Sequence, residues 1–552
     1  TSSLCADYVS SDYIILHMPL TPDAVSMRVH PYYMIPSLFS PLDYNAMEAS
    51  GILSAFNSPA LNNQGKGVLI GLVDTGIDYR SPLFQNPDGT TRIAGIWDQS
   101  VPIEEDVLPA GVPDYYPMGG SSYGTEYTRE QINEALASDD PLSLVPTQDT
   151  IGHGTFLAGL AAGSSIPQED FTGAAPEAEL AVVKLKPAKK YLRDFYLIPS
   201  DAPAFQENDI MMGIKYLRMM ADRLKKPLVI LLAMGSNSGS HIGTSPLSQV
   251  TQNYSGFFGI ITVIACGNET GAAHHFYASI PAGTEYEDVE IRVGKEEAER
   301  GFVLELWAAD ADTYTVGFIS PSGERISRIP IIANNETSIP FLLDATTITV
   351  NYQLIEAESG SQLIFMRFQT PAAGIWTVRV YNTQRFKGTF HMWLPVQGMI
   401  SEETVFLRPD PYSTITVPGN SRLPITVGAY DTSTGGIYIH SSRGFTPNQI
   451  VKPELAAPGV NILGPSVGRK PGSDTPMTTR TGTSAAAAIT AGAAANLLGW
   501  GIVEGNYPTM SEASVKSYLI RGAQRNPALT YPNREFGYGT LDLFQTFLRL
   551  RE

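Results

Sequence analysis

Two cysteines in 552 residues are too few for a disulfide framework. No stretch of 18 or more consecutive apolar residues occurs, so no transmembrane helix is expected. Basic residues are scarce, 37 Lys and Arg against 55 Asp and Glu, which leaves a net charge of −18. Nucleic acid and anionic membrane surfaces both reward a basic face, so neither is an expected partner, and the acidity is read as a solubility device. A charged segment followed by a short apolar one, as in a secretory leader, is missing from the start, as are internal repeats and low-complexity tracts. What remains is a globular composition, 43% hydrophobic and 17% charged, in a chain long enough for two or three cores.

The chain changes character along its length. Residues 1–64 are mixed: Tyr13-Ile14-Ile15-Leu16 reads as a strand, and Pro36, Pro41 and Pro59 punctuate the stretch after it. This part is expected to wrap the core as an N-terminal extension. Apolar runs at 68–73, 180–185, 227–234 and 260–265 then alternate with helical patterns at 156–162 and 210–224. Strands alternating with helices predict a parallel sheet with right-handed crossovers, whose ligand sites lie at the carboxyl ends of the strands. Asp74, Gly235 and Asn268 all fall just past such ends. From about Glu285 to Val396 the period changes to two, as in Phe302–Trp307, Thr347–Tyr352 and Trp376–Tyr381, with turns such as Pro321-Ser322-Gly323 between. Short alternating strands at this spacing predict a β-sandwich or jelly roll. Helices are expected again at 484–498 and 511–521, the second with Ser511 as its cap.

Three motifs carry chemistry. Val73-Asp74-Thr75-Gly76 ends an apolar strand, Gly152-His153-Gly154-Thr155 opens a helix of small residues, and Gly482-Thr483-Ser484-Ala485 opens another. A serine at a helix N-terminus lies among free N–H groups and partial positive charge, a setting that favours an oxyanion. Asp, His and Ser follow one another in the order of subtilisin-type proteases, distinct from the chymotrypsin and α/β-hydrolase orders.

With these motifs the chain resembles the subtilisin-like (S8) serine endopeptidases. Ala265-Cys266-Gly267-Asn268-Glu269 resembles the family's oxyanion segment, Lys452–Gly459 its stretch before the serine, and Gly537–Asp542 its C-terminal signature. Tyr123–Arg129, Val183–Lys189 and Glu207–Ile210 are similar to the clostridial Csp branch, whose members include spore-germination proteases with a jelly-roll insert. The resemblance implies an α/β fold: a subtilisin-like doubly wound parallel sheet with an inserted all-β jelly-roll domain. The expected limits are 1–64 for the extension, 65–282 and 403–552 for the catalytic domain, and 283–402 for the insert. It also implies synthesis with a prodomain removed autocatalytically, which would make Thr1 a cleavage product and the prodomain a possible partner. A secreted or spore-associated bacterial location is implied by the same resemblance.

By resemblance Asp74, His153 and Ser484 form the triad and Asn268 donates to the oxyanion. A serine hydroxyl is a poor nucleophile at neutral pH. His153 would take its proton and return it to the leaving amine, and Asp74 would fix the imidazole tautomer. Extended peptide would pair by β-addition with Ala233-Met234-Gly235 and Ala265-Cys266-Gly267. A further strand of the cleft is expected within Lys186–Tyr191, whose Lys186, Lys189 and Lys190 read as a solvated basic face. Two departures are visible: Ala-Met-Gly stands where the family commonly has Ser-Leu-Gly, and Ala485 and Ala488 where it has Met and Pro. Cys266 reads as a buried small hydrophobe, and His274-His275 as loop or surface histidines. No metal site or cofactor is assigned: the Asp-x-Asp-x-Asp-Gly calcium loop is not present, and a structural calcium built from distant loops, as subtilisin relatives often bind, stays open. The expected partner is a protein or peptide substrate. The alternative from another class is a catalytically silent Csp-like pseudoprotease acting as a signal-binding or scaffold protein. Presence of all four residues Asp74, His153, Ser484 and Asn268 favours the enzyme.

Overall fold

The computed structural model describes residues 5–550 apart from 11, 18–30, 32–33, 37, 42–47, 60, 103–122, 167–170, 310, 333–335 and 469–474. Thr1 therefore lies outside the described residues.

The core is an eight-stranded sheet. Its strands in chain order are β1 (Leu69–Asp74), β2 (Ile93–Asp98), β3 (Thr125–Thr128), β4 (Glu179–Lys184), β5 (Leu228–Leu232), β6 (Ile260–Ala265), β7 (Ile425–Tyr430) and β8 (Leu455–Pro458). The spatial order is β8-β7-β6-β5-β1-β4-β2-β3, parallel throughout except for β3 at one edge. Side chains alternate between two helical layers, as the period of a strand requires. Ile70 and Leu72 of β1 enter the core that holds α1 (His153–Ala162), α4 (Thr483–Leu498) and α5 (Glu512–Gly522). Leu69 and Val73 enter the opposite one, with α2 (Glu207–Leu224) and α3 (Pro246–Ser255). The apolar runs thus appear as strands within two residues of their expected limits. The helices expected from Phe156 and Ile210 begin at His153 and Glu207, because their polar first turns carry no apolar period.

Between His275 and Phe406 the chain builds two antiparallel sheets. The six-stranded one runs, across the sheet, His275–Ser279, Thr389–Trp393, Phe302–Ala308, Leu363–Gln369, Thr346–Gln353, Glu336–Phe341. The five-stranded one centres on Thr313–Ile319, Gly374–Gln384 and Tyr286–Val293. Both contribute to one apolar core that includes Leu304, Ile348, Met366, Val289, Val316 and Trp376. The outer face of the six-stranded sheet is apolar too. Val303, Trp307, Phe365 and Trp393 pack against Leu192, Phe195 and Tyr196 of the helix Lys190–Tyr196. Phe195 and Phe365 stack at 5.5 Å, and Arg367 Nε donates to Phe195 O at 2.9 Å.

At the N-terminus, strands Cys5–Tyr8 and Ile14–His17 pair as a hairpin. Val9 is buried in the α2 and α3 core, and Tyr254 Oη donates to Val9 O at 3.1 Å. The strand Leu38–Pro41 lies elsewhere, in a three-stranded sheet between Phe205–Gln206 and Met234–Gly235.

His274 and His275, expected on a loop or the surface, are each only 3% exposed. His275 Nδ1 donates to Asp410 O at 3.2 Å, and its Nε2 lies 2.9 Å from His391 Nδ1, an arrangement that suits two neutral rings. Trp393 covers the His275 ring at 4.9 Å. Burial pushes the His275 imidazole down to about 4. An unfolded chain takes up this proton near 6.5, whereas the folded one does so only near 4. The stability held by the neutral ring is complete above about pH 6.5 and is lost as pH falls from there towards 4. The thermal unfolding midpoint should therefore drop between pH 6.5 and 5, and His275→Gln should flatten that drop, as calorimetry across this range will test.

Candidate active site

β1 ends at Asp74, which is 2% exposed. Its Oδ1 accepts from Thr75 N at 2.7 Å and from His153 Nδ1 at 2.6 Å. His153, the first residue of α1, turns its other nitrogen to Ser484: Nε2 to Oγ is 3.4 Å. Three side chains from distant parts of the chain thus stand in one hydrogen-bonding line. The Asp74 bond fixes the Nδ1–H tautomer and leaves Nε2 as the base facing the hydroxyl.

Close backbone approach makes this line possible. Gly154 rests on the Asp74 loop so tightly that a Cβ there would lie 2.1 Å from Gly76 O. A carboxylate that sequence reasoning missed, Asp149, locks the two segments together. Its Oδ1 accepts from Thr75 Oγ1 (2.9 Å), Ile151 N (3.1 Å) and Gly152 N (2.7 Å). Its Oδ2 accepts from Thr155 N (2.9 Å) and Thr155 Oγ1 (2.8 Å). Thr75 Oγ1 in turn accepts from Gly154 N at 2.9 Å, and Thr155 Oγ1 from Asp78 N at 2.9 Å. Donors at the start of α1 are satisfied by this one buried anion, as the free N–H groups of a helix N-terminus require. The legible signal was an Asp three residues before a Gly-His-Gly turn.

Ser484 is the second residue of α4, and all residues of that helix are buried. By length and composition the stretch Thr483–Val503 could cross a membrane, yet 83% of its most apolar window is buried inside the protein, so it serves as a core helix. Its first turn is fastened to the Gly267-Asn268 segment twice. Thr483 N donates to Asn268 Oδ1 at 3.1 Å, and Gly267 N donates to Thr483 Oγ1 at 3.3 Å. The carbonyl end of the Asn268 side chain is thereby occupied, and its amide end remains as a donor. Gly267 has φ of +104°, and a Cβ on it would lie 2.7 Å from Thr416 Cγ2 and 2.8 Å from Ser442 Oγ, so only glycine fits.

Ala233 follows β5, and Met234–Gly235 forms a short strand. Its partner is Leu38–Pro41, antiparallel, with Met234 opposite Pro41 and Gly235 opposite Ser40. On the far side of Leu38–Pro41 lies Phe205–Gln206, not the expected Lys186–Tyr191. That expectation is corrected. Pro187 bridges to Phe205 and Ala188 N donates to Ala204 O at 2.8 Å, so the segment stands one strand further out. Nor is Lys186 a free solvated cation: it pairs with the buried Asp209 and sits 3.4 Å over the Tyr123 ring. Lys190 pairs with Asp194 at 2.7 Å on the surface.

The other wall, Ala265-Cys266-Gly267, is buried. The Cys266 thiol is pushed up to about 12 by burial, which suits a packed hydrophobe and not a nucleophile. Thr416, also absent from the sequence reading, fills the gap between the walls: a Cβ on Gly235 would lie 2.4 Å from its Oγ1, and one on Gly267 2.8 Å. Asp98 is buried with Lys184 Nζ at 2.9 Å and Thr147 Oγ1 at 2.6 Å, and so ties β2 to β4. Among the described residues, no three His, Cys, Asp or Glu side chains converge as a metal ion would need.

Comparison with known proteins agrees with this geometry. A subtilase (Peptidase S8) family model matches residues 65–320 and 408–539. Two plant proteins of Arabidopsis thaliana are similar over most of the chain. Subtilisin-like protease SBT3.12 is 24% identical over 485 residues, 86% of this chain and 59% of its own length. Subtilisin-like protease SBT3.5 is 23% identical over 545 residues, 92% of this chain and 64% of its own length. The chain thus spans less than two thirds of these relatives. The solved CspB protease of Clostridium perfringens superposes with a TM-score of 0.78 at 30% identity, covering 91% of this chain and 97% of that one. The parallel sheet is therefore of the subtilisin-like kind, and the chain belongs to the subtilase family of serine peptidases.

Proposed function

We propose that this chain is a serine endopeptidase in which Ser484 is the nucleophile, His153 the general base and acid, Asp74 its orienting anion, and Asn268 an oxyanion donor. The carrying observation is the line Asp74 Oδ1, His153 Nδ1 (2.6 Å), His153 Nε2, Ser484 Oγ (3.4 Å). Ser484 Oγ attacks the scissile carbonyl while His153 Nε2 takes its proton; the imidazolium is held by Asp74. Negative charge on the carbonyl oxygen is met by the Asn268 amide and the Ser484 backbone N–H, both fixed before the reaction begins. The imidazolium then protonates the leaving amine, and water repeats the sequence on the acyl-enzyme. A 3.4 Å contact leaves room for the hydroxyl to shorten its bond as substrate closes the site.

Leu38–Pro41 supports a protein or peptide substrate bound by β-addition, because a stretch of this chain lies between Met234–Gly235 and Phe205–Gln206 in that manner. Pro41 lies opposite Met234, the residue after Ala233 and close to the carboxyl end of β5. We extend the proposal to autoprocessing: the enzyme cuts its own chain just beyond Pro41, within residues 42–47. The two antiparallel sheets around one core are read as an inserted jelly-roll module, with limits near 283 and 402 and the catalytic domain on either side.

A fluorophosphonate should label the native chain at Ser484 and leave Ser484→Ala, His153→Ala and Asp74→Ala essentially unlabelled. A folded native chain that takes no label would sink the protease reading in favour of a pseudoprotease scaffold. N-terminal sequencing should find a new end within 42–47 in the native protein and none in Ser484→Ala. An uncut but labelled native chain would remove autoprocessing alone.

A further inference from the structure

The antiparallel insert does more than lie against the catalytic part. Past its strand Thr389–Trp393, the chain runs beside the oxyanion segment. Leu394 N donates to His274 O at 2.9 Å, and Leu394 O accepts from Asn237 Nδ2 at 3.0 Å. Gln397 N donates to Glu269 Oε1 at 3.1 Å, and Gln397 Nε2 donates to Asn268 O at 2.5 Å. Glu269 is 3% exposed and also accepts from Asn237 Nδ2 (3.1 Å) and His274 Nδ1 (3.0 Å). Further back in the insert, Glu305 accepts from Gly239 N at 3.0 Å, and Trp393 stacks on His241 at 4.0 Å. The insert therefore grips the chain immediately after both walls, at 237–241 and at 268–269.

Asn268 is held from two sides. Thr483 N holds its side-chain oxygen from the helix, and Gln397 holds its main-chain oxygen from the insert. The 268–269 peptide follows Gly267 at φ +104°, where a residue without a Cβ restrains the backbone least. A rotation of that peptide would swing the Asn268 side chain, and with it the amide donor, off the position of the developing oxyanion. Resting on the endopeptidase reading above, we propose that Gln397 is a positioning residue for Asn268, through which the insert sets the rate of the chemical step. The Gln397 side chain is exposed, so its removal leaves no buried donor or acceptor on its own side. The backbone bond from Gln397 N to Glu269 survives any substitution.

The test compares full-length native protein with Gln397→Ala and Gln397→Glu, the second keeping the size but replacing the amide donor by a carboxylate. The probe is a fluorophosphonate, read as the maximal inactivation rate kinact and the half-saturation KI, with the thermal midpoint measured in parallel. One lost positioning hydrogen bond predicts a fall in kinact of about tenfold in both variants. KI and the thermal midpoint should stay near native values, which a merely structural role would not produce. In an Asn268→Ala background, Gln397→Ala should change kinact by less than about twofold, because the donor it positions is gone. A reactive native chain whose kinact is unmoved by both substitutions overturns the positioning role alone. So does an equal fall with and without Asn268, or a fall in the thermal midpoint in both variants with kinact preserved. A native chain that fails to react overturns the endopeptidase reading and the positioning role with it.

Discussion

Everything at the site depends on one steric constraint: α4 runs through the middle of the protein with no exposed side. It packs on α1 and on strands β5 to β8, and each residue from Thr483 to Leu498 is buried. A helix so enclosed can approach its neighbours only if its side chains are small. The run Ala485 to Ala488 follows from this, and so does a helix apolar enough to resemble a membrane span. The one amide in it, Asn496, is accommodated because Nδ2 donates to Ala174 O at 2.7 Å and Gly492 O at 2.8 Å. Close packing brings the start of α4 within reach of both α1 and the segment after β6. Ser484 thereby meets His153, and Thr483 meets Asn268.

How much of this could be read from the amino acids depends on where the information sits. Asp74, His153, Ser484 and Asn268 were legible because each lies at a strand end or helix start whose flanking glycines and alanines are themselves demanded by tight packing. Strands such as Ile260–Ala265 were legible because both of their faces are buried, which leaves an unbroken apolar run. Phe205–Gln206 was not, since a two-residue strand has no period. Leu38–Pro41 pairs with residues some 165 and 195 positions away, and no local pattern encodes such a pairing. Thr416 and Gln397 act through partners brought near only by the fold, whereas Asp149 combines close sequence neighbours with the distant Thr75. His274 and His275 read as loop or surface residues because the sequence does not display the Glu269 contact of the first or the Trp393 and Asp410 that meet the second.

On the proposed reading, the inserted module and the parallel sheet divide the labour of holding the substrate cleft. β1, β5 and β6 deliver Asp74, Ala233 and Ala265 at one end of the parallel sheet, as that architecture does for ligands generally. The insert then clamps the residues just beyond two of those ends. Its aromatic outer face, with Trp307, Phe365 and Trp393, supplies the adhesion, and its polar exit at Leu394 to Gln397 supplies the alignment. Glu269 is where the two meet, a buried carboxylate accepting from catalytic-domain and insert donors alike.

The strand Leu38–Pro41 has a thermodynamic meaning beyond its pairing. On the proposed reading, in which substrate takes this place between Met234–Gly235 and Phe205–Gln206, the strand would compete for the cleft at a fixed local concentration while covalently joined to the chain, of the order of millimolar for a short tether. Diluting the protein does not weaken such a competitor, and a free peptide of equal intrinsic affinity would have to reach the same concentration to share the cleft evenly. Were the tether cut as proposed, the contest would become bimolecular, and the same backbone hydrogen bonds would hold only as firmly as dilution allows. On that reading, occupancy of the cleft is a property of chain connectivity as much as of contact, and a single peptide bond would separate a closed cleft from an open one.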